Sequence, residues 1–96
     1  MAIVPLGDYR RTHPDRAYCV IEVANTSVSK DRNIKAPLYA ASGFPEYWLV
    51  NVPEQVVEVF RTPGPDGYAQ RARYGVGESI ALEAFSDVRV EVARLF

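Results

Sequence analysis

With 96 residues, 48% of them hydrophobic, the chain is one domain at most, and a domain of this size buries only about two-thirds of the surface its unfolded chain exposes. Eleven basic residues against twelve acidic ones leave a net charge of −1, which excludes the strongly basic balance of a protein that holds nucleic acid by overall charge. A single cysteine, Cys19, excludes an internal disulfide, and together with the one histidine, His13, it does not make a structural zinc site, so a reducing, cytoplasmic setting is expected.

In chain order, Met1 to Val4 predicts a short apolar strand stopped by Pro5 and Gly7. The strand begins at the methionine with nothing before it to pair with, which points to absent upstream structure. The apolar part of MAIVPLGDYRR is too short for a signal peptide, and no run approaches membrane-spanning length. Asp8 to Arg16 is a polar loop. Ala17 to Val23 (AYCVIEV) is a nearly continuous apolar run, which predicts a strand buried on both faces of a sheet. Alternation puts Cys19, Ile21 and Val23 on one face and Tyr18, Val20 and Glu22 on the other, so Glu22 points into a packed layer.

Asn25 to Ser29 supplies helix-cap residues, and Lys30 to Ala41 has helical spacing closed by Ser42 and Gly43. Ile34, Leu38 and Ala41 share one face of this helix; Asp31, Lys35 and Tyr39, each four apart, line another. Pro37 removes a hydrogen bond to the preceding turn and should kink the helix. Glu46 to Val52 and Val56 to Arg61 then read as strands, followed by a turn at Thr62 to Gly67. Tyr68 to Tyr74 alternates, Gly75 to Gly77 turns before Ile80 to Leu82, and Val88 to Val92 reads as a half-exposed strand. Arg10, Arg11, Arg16, Lys30, Arg32 and Lys35 crowd the first third and read as a solvated basic surface.

A carboxylate within AYCVIEV must be neutral, paired with a cation or bound to a metal, because burying it alone costs several kcal/mol. Lys35 on the following helix is the nearest candidate partner, so a Glu22 to Lys35 ion pair without catalytic duty and a metal site both remain open at this point.

The stretch CVIEVANTSVSKDRNIKAPLYAASGFPEYWLVNV closely resembles the Uma2 family of restriction-endonuclease-like proteins in the PD-(D/E)XK superfamily. The likeness lies in the IEV strand, the Ser soon after it, Asp31-Arg32 followed by Lys35 with Pro-Leu-Tyr-Ala behind, and the Gly-x-Pro-Glu-Tyr-Trp turn. Val56 to Pro63 and Leu95-Phe96 extend it weakly over almost the whole chain. The resemblance implies an α/β, restriction-endonuclease-like mixed sheet with a helix after the Glu22 strand, in a single domain spanning 1–96 and lacking the N-terminal part of the family domain. It implies phosphodiester hydrolysis of DNA at a Mg²⁺ or Mn²⁺ site, with Glu22 as metal ligand and Lys35 as catalytic cation.

In related sequences a first carboxylate comes from a Pro-Asp pair directly before a strand like MAIVP, and the motif aspartate is missing here. The expectation is therefore an incomplete endonuclease, with a noncatalytic DNA- or protein-binding module as the alternative, and a homodimer or higher oligomer that covers exposed sheet. Pro14-Asp15 reads as a loop, not as a replacement, and Asp31 as a helix N-terminal charge. Tyr39, Tyr47 and Trp48 read as packing residues and Cys19 as a small core residue.

Overall fold

The computed structural model describes residues 2–3 and 18–96. The expectations for His13, Pro14, Asp15, Arg10, Arg11 and Arg16 lie outside the described residues. Five strands form one sheet in the order β1-β2-β3-β4-β5: β1 (Ala2–Ile3), β2 (Cys19–Ala24), β3 (Glu46–Asn51), β4 (Val56–Gly64) and β5 (Gly67–Gly75). β2 and β3 run parallel, pairing Cys19 with Glu46 through to Ala24 with Asn51, and every other neighbouring pair is antiparallel. A parallel pair needs a crossover. Here it is a helical segment built from α1 (Val28–Lys30), a π-helical turn (Asp31–Lys35) and α2 (Ala36–Ala41). A second sheet pairs β6 (Ser79–Ala81) with β7 (Arg89–Glu91), and a 3₁₀ turn (Val92–Leu95) follows. The result is the mixed α/β architecture of a restriction-endonuclease-like fold.

The alternation of the strands divides the core in two. On one face Cys19, Ile21, Trp48, Val50, Val57 and Val59 pack beneath Ile80 of the second sheet, Leu82 just after β6 and Val92 of the 3₁₀ turn. On the other, Val20, Ala24, Tyr47, Leu49 and Phe60 meet Ala36 and Phe44, with Tyr39 and Tyr68 against them. Glu22 has the parity of Val20 and Ala24, so it lies on the helix-covered side, as alternation predicts.

The structure differs from the sequence pattern at several points. The β2 strand is not buried along its whole length: Val23 is 68% exposed and the Glu22 side chain 20% exposed. β1 pairs only with Val20 and Cys19, so the far end of β2 has β3 as its one sheet neighbour among the described residues. Of the two helix faces set out by the spacing, the one carrying Ile34, Leu38 and Ala41 is not the one that meets the sheet. Ile34 and Leu38 are 54% and 61% exposed, Ala41 is exposed, and the sheet is met instead by Asp31, Ala36 and Ala40. Small residues at 36 and 40 let the helix lie close to a sheet already filled by Tyr47, Leu49 and Phe60, which leaves no room for Ile and Leu beneath it.

The irregularity expected at Pro37 falls in the preceding turn, where Asp31–Lys35 widens to a π-helix and Pro37 takes a position in the first turn of α2. Pro37 has no N–H to give to the preceding turn, and that turn is where the run departs from α-helical geometry. The helical run also begins at Val28, two residues earlier than the spacing predicts. Likewise β4 continues to Gly64 past a left-handed Thr62 (φ 62°), so the turn shortens to Pro65-Asp66.

Candidate active site

A carboxylate on a strand becomes useful when a cleft reaches it. At the open end of β2, Ile21, Glu22 and Val23, with Ser27, Asp31 and Lys35 from the helical crossover, surround a cleft of about 300 Å³. Lys35 Nζ donates to Glu22 Oε2 at 3.1 Å, and the Tyr47 hydroxyl donates to Glu22 Oε1 at 3.2 Å. One carboxylate is thus held from both sides, by a cation at the mouth and a phenol in the core. The hydrogen bond to Glu22, the Glu22 charge and the charge of Asp31 raise the Lys35 pKa above its ordinary value, so the ammonium stays protonated at neutral pH. Burial, with the nearby Glu22 charge added, raises both the Tyr39 and the Tyr47 phenols, and neither ionises near neutrality.

Asp31 is the residue the sequence reading undervalued. It is only 3% exposed. Ser27 Oγ donates to its Oδ2 at 3.1 Å, and Lys35 Nζ stands 3.5 Å from its Oδ1, an oxygen that is buried and accepts no hydrogen bond. As a helix N-terminal charge, Asp31 would stand in the open first turn. Instead it follows that turn, its own N–H already bonded to the Ser27 carbonyl at 2.9 Å, and its side chain is buried beside the cleft that Glu22 also lines. The one available signal was the four-residue spacing of Asp31, Lys35 and Tyr39, which does place all three toward Glu22.

Two other carboxylates lie deeper than Glu22. Glu58, 1% exposed on β4, accepts a bidentate pair from Arg32, Nε to Oε1 at 2.8 Å and Nη2 to Oε2 at 2.6 Å. Burial taken alone would raise the Glu58 pKa, but the Arg32 hydrogen bonds and charge, with help from Asn51, outweigh it and hold the carboxyl below its usual value. Glu46, also 1% exposed, accepts from Trp48 Nε1 at 2.7 Å, from Arg61 Nε at 2.9 Å and from the Glu83 N–H at 3.0 Å. Arg61 also donates to the Ala81 carbonyl at 2.6 Å, so this network ties the main sheet to the second one. Both carboxylates are saturated by protein donors. That separates them from the cleft pair.

The structure therefore brings Glu22 and Lys35 together as expected, gives Tyr47 a polar duty beyond packing, and buries Trp48 completely. Among the described residues no three side chains of the histidine, cysteine, aspartate and glutamate kind converge as a metal cluster. The family model described as "Putative restriction endonuclease", Uma2, matches residues 2–93. The chain belongs to the Uma2 family. No match was found among curated proteins. Within this Uma2 chain Ile21, Glu22 and Val23 of the IEV strand and Asp31 and Lys35 of the Asp-Arg-x-x-Lys turn line the cleft, while Arg32 is engaged with Glu58.

Proposed function

We propose that the cleft is the phosphodiester-hydrolysing site of a metal-dependent DNA endonuclease, with Glu22 as a ligand of Mg²⁺ or Mn²⁺ and Lys35 as the catalytic cation. The observation that carries this reading is the position of Glu22. It is the carboxylate that a paired lysine and a buried tyrosine hold at a cleft, whereas Glu46 and Glu58 are consumed by structural donors. Carboxylate oxygens are hard donors of the kind these ions take, commonly through one or two carboxylates with water completing the shell. Glu22, partly open to the cleft, fits that requirement.

A divalent cation bound there supplies Lewis-acid polarisation of the scissile phosphate and a lowered pKa for the attacking water. Lys35, held as an ammonium, offsets negative charge developing on the phosphate oxygens. The Tyr47 hydroxyl, neutral at working pH, fixes the orientation of Glu22 from the core side, and its neighbours Tyr39 and Phe60 give it little room to move.

The test is calorimetric titration of Mg²⁺ and Mn²⁺ into the wild-type chain and Glu22→Gln, with cleavage of supercoiled plasmid followed in parallel. Metal binding and nicking that both disappear in the variant support the reading. Equal metal affinity in the two proteins overturns it. Duplex DNA that is bound but never cut with either ion present would favour the alternative, a noncatalytic binding module.

A further inference from the structure

A two-carboxylate cation site needs a second ligand beside Glu22, and the cleft already holds one. We propose that Asp31 is that ligand, binding the same divalent cation as Glu22, and that the cation competes with the Lys35 ammonium for the two carboxylates. The inference rests on the reading of Glu22 as a ligand and adds to it a residue that the sequence pattern assigns to the helix.

Three observations carry it. First, the Asp31 side chain is 4% exposed, and its Oδ1 accepts no hydrogen bond. A carboxylate kept for structure is normally saturated when buried, as Glu46 is by Trp48, Arg61 and the Glu83 amide, because an unsatisfied buried oxygen carries its full desolvation cost. An ordinary i,i+4 ion pair with Lys35 gives no reason to bury one partner, since such pairs contribute only a few tenths of a kcal/mol where solvent reaches them. Second, Lys35 Nζ lies 3.1 Å from Glu22 Oε2 and 3.5 Å from Asp31 Oδ1, so a single positive charge already bridges the two carboxylates. Third, Asp31 and Lys35 begin and end a π-helical turn, an irregularity concentrated at functional sites, and Ser27 fixes Asp31 through the other oxygen, Oδ2. Oδ1 faces the Lys35 ammonium alone, the charge that a bound cation would replace.

The experiment follows the side-chain carboxyl carbons of the wild-type chain by NMR during a Mg²⁺ titration and measures Mg²⁺ and Mn²⁺ affinity calorimetrically for Asp31→Asn, Glu22→Gln and Lys35→Met. Expected are shifts of the Glu22 and Asp31 carboxyl resonances along one binding curve. Affinity should fall about tenfold or more in Asp31→Asn and rise in Lys35→Met, where the competing ammonium is gone. If the Glu22 resonance moves alone and folded Asp31→Asn keeps wild-type affinity, Asp31 is not a ligand, although the Glu22 reading survives. If neither resonance moves, both are overturned. Circular dichroism establishes that the variants fold, and the wild-type titration decides the question should Asp31→Asn fail to fold.

Discussion

The guanidinium of Arg32 closes a two-pronged hydrogen bond on the carboxylate of Glu58, linking the π-helical turn to the centre of β4. The pair is lopsided, with the Arg32 side chain 31% exposed and that of Glu58 2% exposed. Asn51 donates to Glu58 and Glu54, and Arg73 pairs with Glu54, so the same chain of contacts runs on to the exposed strand β5. The helix that carries Lys35 and Asp31 is thereby fixed to the sheet that carries Glu22.

Arg32→Ala should cost about 3 kcal/mol in chemical denaturation at neutral pH, because it leaves the Glu58 charge buried without its partner. Arg73→Ala, which removes an exposed pair, should cost no more than about 1 kcal/mol. The gap between wild type and Arg32→Ala should narrow in acid. The folded-state pKa of Glu58 lies below its unfolded value, so this pair contributes fully above the ordinary glutamate range, near pH 4, and its contribution is lost as pH falls through the folded value. Denaturation curves of the two proteins at pH 7 and pH 3 check both statements.

In alkali the sign reverses. Burial raises the Tyr47 and Tyr68 phenols, and the Glu22 contact raises Lys35, so the folded state keeps these protons longer than the unfolded chain. Their contribution is present below about pH 10 and is lost as pH rises further. Thermal melting across pH 8 to 11 is expected to show a falling midpoint above about pH 10, and Tyr47→Phe should flatten that fall.

Glu46→Gln should be among the most damaging changes of a single carboxylate. It replaces acceptors used by Trp48, Arg61 and the Glu83 amide and unties the second sheet from β3, with an expected cost of about 3 kcal/mol. Trp48 is fully buried beside this carboxylate, so its fluorescence should also shift in the folded variant. A variant with wild-type stability and unchanged emission would contradict the role assigned to Glu46.

Cys19, 1% exposed in the apolar core with its thiol pKa pushed well up by burial and then by the Glu46 charge, should resist thiol reagents in the native state. Its labelling rate should rise steeply across the denaturation transition and follow the loss of structure measured by circular dichroism. Rapid labelling of the native protein at neutral pH would show that this part of the core opens locally.

The pattern of AYCVIEV and the motif residues around it determined a good deal: which face of β2 carries Glu22, that a helical crossover follows, that Lys35 is the nearest candidate partner of Glu22, and that the chain resembles Uma2. Each of these depends on short-range alternation or on motif spacing, which the linear chain displays directly. Tertiary structure decided the rest. Helical periodicity identified two opposed faces but not which one meets the sheet, and the small residues Ala36 and Ala40, set against Tyr47, Leu49 and Phe60, settled it in favour of the charged side. That choice buried Asp31 and exposed Ile34 and Leu38. Burial of Glu22, inferred from its apolar neighbours, is only partial, because the end of β2 borders a cleft that exists only once the helix has docked. Glu46 and Glu58 lie in strands that read as ordinary, and their depth comes from Arg61 and Arg32, 15 and 26 residues away in sequence. Neutralising a carboxylate by a distant arginine is a property of the folded chain, and it leaves no mark in local spacing.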